Sequence, residues 1–144
     1  MSFRRILIAI DNGPIAAHAA DVGRELARSL GAEVAFIHAI DPSLSVAPEG
    51  GVAAGELITL AQQDGKALLD GFRKRLSPPL SALEFLPRGK PAGEIIKAAK
   101  EWPADLIVIG SHGRGGVQRA LFGSVADAVM QHTPCPVLVI RASE

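Results

Sequence analysis

Short aliphatic runs and longer stretches of helical period alternate along the chain. Ile6 to Ile10 is apolar throughout, bounded by Arg4 and Arg5 and then by Asp11, Asn12, Gly13 and Pro14. Such a run suits a strand buried on both faces of a parallel sheet, although periodicity alone does not separate it from a buried helical segment. Ile15, Ala19, Val22, Leu26 and Leu30 then recur at three to four residues and predict a helix, with Pro14 suited to its first turn and Gly31 to its end. Glu33 to His38 reads as a second strand, which closes a β-α-β unit with a right-handed crossover. Residues 42–56 carry no period and form the longest candidate loop, a length typical of functional or mobile segments. Leu57, Leu60, Ala61, Leu68, Phe72 and Leu76 mark a second helix, ended by Ser77, Pro78 and Pro79. Ala82 to Leu86, with Glu84 in its middle, is a weaker strand better placed at a sheet edge. Gly89 to Glu94 turns into a short helix carrying Ile95, Ile96 and Ala99, ended by Trp102 and Pro103. Leu106 to Ile109 is a fourth strand; Val125, Ala128, Val129 and His132 define a fourth helix; Thr133 to Pro136 breaks it; Val137 to Ile140 is the last strand.

Five strands alternating with four helices argue for an α/β fold, an open twisted parallel sheet with helices on both faces. In such sheets ligands bind beyond the carboxyl ends of the strands, where the strand order reverses. Asp11 ends strand one, His38 to Ile40 end strand two and Gly110 ends strand four. If strands one and four are neighbours, all three ends line one crevice. Residues 1–144 suffice for one domain with a real core.

Composition narrows the function classes. With 15 basic and 15 acidic side chains the formal net charge is zero, so no electrostatic footprint for nucleic acid or an anionic membrane is visible. Aromatic residues make up only 4%, which leaves the interior to alanine and aliphatic side chains. The single cysteine, Cys135, excludes an internal disulfide framework and a cysteine-based zinc site; between two prolines and before an apolar strand, it reads as buried and inert. The N-terminal apolar run is too short for a signal peptide or a membrane span, so a soluble cytoplasmic protein is expected.

The chemistry gathers after strand four. Ile109 and Gly110 lead into Ser111, His112 and Gly113; nine residues follow; then Gly123 and Ser124 open a helical pattern. Glycines admit a ligand close to the backbone, and convergent N–H groups and a helix N-terminus bind anions. The G-x-x-x-x-G-K-[ST] loop is absent, and so is G-x-G-x-x-G after the first strand. What stands instead is G-x2-G-x9-G-S. With the opening Ile6 to Asp11, the His38-Ala-Ile-Asp41 stretch, Gly89 to Pro91 and the closing Cys135 to Ile140, this closely resembles the universal stress protein family, in its ATP-binding branch. The resemblance covers essentially the whole chain, and the glycine spacing is its specific part.

The resemblance implies strand order 3-2-1-4-5, ATP with Mg²⁺ as ligand, a regulatory role in the stress response and a homodimer through Val137–Ile140. Asp11 matches the aspartate beside ribose and metal, Ala39 the position whose backbone reads the adenine edge, and Gly110, Gly113, Gly123 and Ser124 the ribose and phosphate motif, with Val125 behind it. Ile109, Ser111, His112 and Arg114 within that motif, with Ala9 on strand one, complete the nucleotide-binding set, and Arg119 lies in the same arch. Ala9 stands where some members carry proline, and Ala126 where a hydroxyl is common, which removes one phosphate contact. Plainer readings stand beside these: Ser124 as an N-cap worth roughly 1 kcal/mol, Asp11 as a cap or turn anchor at Gly13, and Arg114, Arg119 and His112 as solvated loop side chains. His18, His38 and His132 have no metal-like spacing and read as structural.

No general base is evident, so hydrolysis is expected to be slow or absent. The alternative is a nucleotide-free interaction module of the same fold, acting through its dimer edge. A phospho-acceptor receiver would need paired acids at the first strand end and another aspartate elsewhere, and strand three ends instead in Phe85, Leu86 and Pro87. HxGH and SGGxDS signatures do not occur.

Overall fold

The computed structural model describes residues 2–11, 13, 15–42, 54–76, 81–111 and 123–141. Their elements run β1 (Arg5–Ala9), α1 (Ala16–Leu30), β2 (Glu33–Ile37), α2 (Ala54–Arg73), β3 (Ala82–Phe85), α3 (Pro91–Glu101), β4 (Leu106–Gly110), α4 (Ser124–His132) and β5 (Val137–Ile140). All pairings are parallel, in the order β3-β2-β1-β4-β5, so the expected fold class and strand order hold and β1 and β4 are neighbours. Strand limits differ from the sequence reading by at most one residue at either end, and those of β5 coincide. Of the expected loop 42–56, residues 54–56 belong to α2 and residues 43–53 lie outside the described residues, as do Pro14 and Ser77 to Pro79.

The uninterrupted aliphatic runs are explained by burial on two faces. Ile6 and Ile8 join Ala19, Ala27, Val34, Phe36 and Leu69 on the α1/α2 face, whereas Leu7, Ala35 and Ile107 join Ile95, Ala99 and Val129 on the α3/α4 face. A strand covered on both sides has no polar position to alternate with. Each fully buried Ile, Leu or Val stabilises the fold by about 1.5–3 kcal/mol.

Helix α1 sits close to the sheet because its inner face is small: Ala16, Ala19, Ala20, Gly23 and Ala27 are buried. A Cβ on Gly23 would lie 2.5 Å from Ile8 Cδ1. Leu30, grouped with the apolar face by spacing, is instead 48% exposed at the last turn. Gly31 then takes φ 65°, ψ 33° and its N–H returns to the Ala27 carbonyl, the left-handed cap expected of glycine.

On α2 the buried anchor is Leu69, which the spacing argument overlooked, while Leu60 is 53% exposed; Leu68, Phe72 and Leu76 pack against the core as expected. Leu60 lies in the N-terminal half of this 20-residue helix, where no residue from Gly55 to Asp64 is buried, so helical period there does not translate into burial. β3 is an edge strand, as its charge suggested. Glu84 turns toward α2, where Lys66 Nζ bridges Asp70 and Glu84 at 2.8 Å each and Arg73 Nε lies 2.7 Å from Glu84. Those bonds raise the Lys66 pKa and lower that of Asp70. β5 is the opposite edge, with Val137, Leu138 and Val139 only half-buried.

Candidate functional site

The central ladder parts at the carboxyl ends of the strands. β1 and β4 pair as far as Ile8 with Val108. β1 continues beside β2 to Ala9 with Ile37, and β4 beside β5 to Gly110 with Ile140. Each half keeps its outer partner while the two halves separate, and this happens at the point where the strand order reverses. That is where an open α/β sheet offers a ligand crevice. Ala9 and Ile109, both buried, stand on its two walls.

On the β1 side, Asp11 is exposed and its Oδ1 accepts the N–H of Gly13 at 2.7 Å. The carboxylate therefore fixes the turn after β1, the plainer of its two expected roles, while facing solvent at the crevice mouth. It does not cap α1, which begins after Ile15 without a side-chain cap.

On the β2 side, the ladder ends with an exchange of donors. Ile10 N–H donates to the Ile37 carbonyl at 2.8 Å, and continued parallel pairing would give the Ile10 carbonyl the N–H of Ala39. His38 Nδ1–H occupies that carbonyl instead, at 2.9 Å, which fixes the imidazole tautomer because a carbonyl only accepts. His38 and Ile40 donate outward to Phe85 and Pro87, so the backbone of Ala39 faces the β1 side and makes no hydrogen bond among the described residues. A free amide pair at this point suits the edge of a heterocyclic base. His38 is structural, as its lack of metal-like spacing suggested; no sequence signal placed its ring on the Ile10 carbonyl.

On the β4 side, Gly110 closes against the start of α1, where a Cβ would stand 3.1 Å from Ile15 Cγ2. Ser111 is 2% exposed, and its N–H extends the β4–β5 ladder to the Ile140 carbonyl at 2.8 Å. His112, Gly113, Arg114 and Arg119 lie outside the described residues. The chain re-enters description at Gly123, whose φ of 78° and ψ of 158° make it the N-cap of α4. Its carbonyl accepts the N–H of Asp127 at 3.0 Å.

Ser124 is thus not the N-cap, which corrects the plainer reading of that residue. It is the first helical residue, exposed, and no side-chain cap bond is present. The extended, positive-φ conformation needed to enter α4 is open to glycine and not to serine, so the cap falls one residue earlier. Val125 packs half-buried on the α3/α4 side of the core, and Ala126 is 2% exposed, turned away from solvent. Asp127 in the first turn offsets part of the positive end of the helix.

Cys135 is half-buried rather than buried. Burial raises its thiol pKa above the ordinary value, with the Thr133 hydroxyl pulling the other way, so the thiol is held protonated. Among the described residues no group of three or more His, Cys, Asp and Glu side chains is gathered for a metal, and no helix is long and apolar enough to cross a membrane.

A parallel sheet of order β3-β2-β1-β4-β5 with helices on both faces defines a doubly wound α/β protein. The chain belongs to the universal stress protein family, whose model matches residues 2–141. A universal stress protein of Methanocaldococcus jannaschii is 33% identical over 143 residues, 96% of this chain and 82% of that one. Among solved structures, UspA of Lactobacillus plantarum superposes with TM-score 0.86 at 26% identity, covering 98% of this chain and 99% of that one. A universal stress protein of Archaeoglobus fulgidus, solved in complex with dAMP, superposes with TM-score 0.66 at 28% identity over 97% and 99% of the two chains.

Proposed function

We propose that the chain binds ATP, with Mg²⁺, in the crevice between β1 and β4 and acts as a cytoplasmic regulatory module in the stress response. The observation that carries this reading is the parting of the β1–β4 ladder after Ile8 and Val108, with the free backbone of Ala39 on one wall and the glycine-capped start of α4 across from it. The Archaeoglobus fulgidus relative solved with dAMP supports an adenine nucleotide as the ligand class.

In this reading Ala39 presents its N–H and C=O to the adenine edge. Asp11 faces the ribose and the metal; its carboxylate is the hard oxygen donor that Mg²⁺ prefers, with waters and phosphate oxygens supplying the rest. Ile109, Gly110 and Ser111 carry the chain from β4 toward His112, Gly113 and Arg114, and Gly123, Ser124 and Val125 bring the start of α4 to the phosphates. Ser124, not used as a cap, has its hydroxyl available for a phosphate oxygen. No residue is assigned as a general base, and any hydrolysis is slow. Val137 to Ile140, an apolar edge strand, pairs with a second copy to form a homodimer, since edges of this kind are paired or covered.

The test is to denature freshly purified protein and identify what it releases, then to follow thermal unfolding of ligand-free protein with Mg-ATP. Released ATP or ADP, or a rise in stability of about 2.7 kcal/mol at 100 times Kd, is expected. No released nucleotide together with no shift at millimolar Mg-ATP would overturn it and favour an interaction module that carries no nucleotide.

A further inference from the structure

A second concave surface lies at the far edge of the sheet from β5. It is a groove of about 560 Å³ between β3 and α3, floored by Phe85, Pro87, Ala98 and Trp102. Phe85 and Trp102 meet edge to face with ring centroids 6.0 Å apart, and Arg5 lies over the Trp102 ring, so the aromatic floor is fixed rather than collapsed into the groove. Leu83, which points to the same side of the sheet as Phe85 by strand alternation, is 52% exposed.

Two further properties tell what would fit. Among the described residues β3 pairs with β2 alone, and Phe85 sends its carbonyl inward to His38, so in a parallel ladder the backbone groups of Glu84 and Leu86 face outward. An open strand edge takes an extended chain. The rim, moreover, is acidic. Glu94 and Glu101 stand seven residues apart on α3, about 10 Å along the helix, against Lys97 between them, and none of the three is in an ion pair among the described residues. Glu84, by contrast, is already held by Lys66 and Arg73.

We propose that the β3–α3 groove docks an extended segment of a partner protein in which an apolar residue has lysine or arginine two positions to either side. The segment adds a strand to the β3 edge, seats its apolar side chain on Phe85 and Trp102, and, because alternate residues of a strand share a face, sets the cationic residues two positions to either side beside Glu94 and Glu101. This surface is separate from the nucleotide crevice and from the β5 edge, so self-association and partner capture use opposite ends of one sheet. It does not depend on nucleotide binding.

Trp102 is the chain's one tryptophan and reports on the groove directly. The probe is a capped heptapeptide with valine at its centre, lysine two positions before and after it and threonine elsewhere, titrated at low ionic strength, beside the same peptide with glutamate for lysine. A saturable change in Trp102 emission with Kd below about 1 mM is expected for the lysine peptide, with affinity at least about tenfold weaker for the glutamate peptide and for the E94K/E101K protein. If the doubly substituted protein fails to fold, E101Q and E94Q are tested singly, each with an expected severalfold loss. Absence of a saturable change with the lysine peptide, equal affinity for the two peptides, or undiminished binding by the folded variants would each overturn the proposal.

Discussion

Replacing Gly123 with alanine probes the part of the site that is most constrained by backbone geometry. At φ 78° and ψ 158° the residue occupies a region that is essentially closed to side chains, and it is there that the chain enters α4. Holding an alanine in that conformation costs about 1–3 kcal/mol. If the strain is retained, it appears as lost stability, roughly 2–4 °C in melting temperature per kcal/mol for a domain near this size. If the chain relaxes instead, the cap moves, the first turn of α4 is re-aimed, and the strain is exchanged for weaker Mg-ATP binding, about tenfold for each 1.4 kcal/mol. Urea unfolding and calorimetric titration of Gly123→Ala together should therefore account for at least about 1 kcal/mol. Gly71→Ala is the matched control. That glycine is in α2, exposed, with nothing within 4 Å of a built Cβ, so the same chemical change should stabilise by about 0.5–1 kcal/mol. Opposite signs for the two substitutions are the expected result. A Gly123→Ala protein with unchanged stability and unchanged affinity would refute the backbone argument.

Three further outcomes follow from the same geometry. Gly23→Ala places a methyl 2.5 Å from Ile8 Cδ1 and 2.8 Å from Ile8 Cγ1; Ile8 is fully buried, so the overpacking should fall in the upper part of the usual range of about 1–3 kcal/mol and, less about 1 kcal/mol of helix propensity, leave a net loss of about 1–2 kcal/mol in urea unfolding. His38→Leu frees the Ile10 carbonyl to take the Ala39 N–H, so Mg-ATP affinity should fall about tenfold, equivalent to one hydrogen bond, and an affinity unchanged from wild type would contradict it. Cys135 should react with iodoacetamide at pH 8 more slowly than glutathione does; because the folded thiol keeps its proton where the unfolded one loses it, stability should decline as pH rises past the ordinary thiol value of 9.0, and a Cys135→Ala protein should lack that decline.

Much of this fold is legible in the sequence, for identifiable reasons. Runs such as Ile6 to Ile10 and Leu106 to Ile109 are central strands covered on both faces, so their lack of alternation is itself the signal. Glu84 marked β3 as an edge because a charge is tolerated only where solvent or α2 cations reach it. Spacing arguments failed at Leu30 and Leu60, where helical period continues beyond the sheet that would bury it, and at Gly23, whose importance lies in the absence of a side chain. The crevice itself was foreseeable from the strand ends, given β1 beside β4. Two of its features were not. The positive-φ entry to α4 moves the cap from Ser124 to Gly123, and the His38 ring replaces a ladder hydrogen bond; both depend on three-dimensional backbone direction that residue types do not encode locally.

A nucleotide held between β1 and β4 should be seen in isothermal titration of ligand-free protein with ATP in the presence of Mg²⁺. Binding should saturate at one ATP per chain, and Asp11→Asn should weaken it more with Mg²⁺ than without it. No heat of binding at millimolar ATP, or binding indifferent to Asp11, His38 and Gly123 substitutions alike, would contradict it.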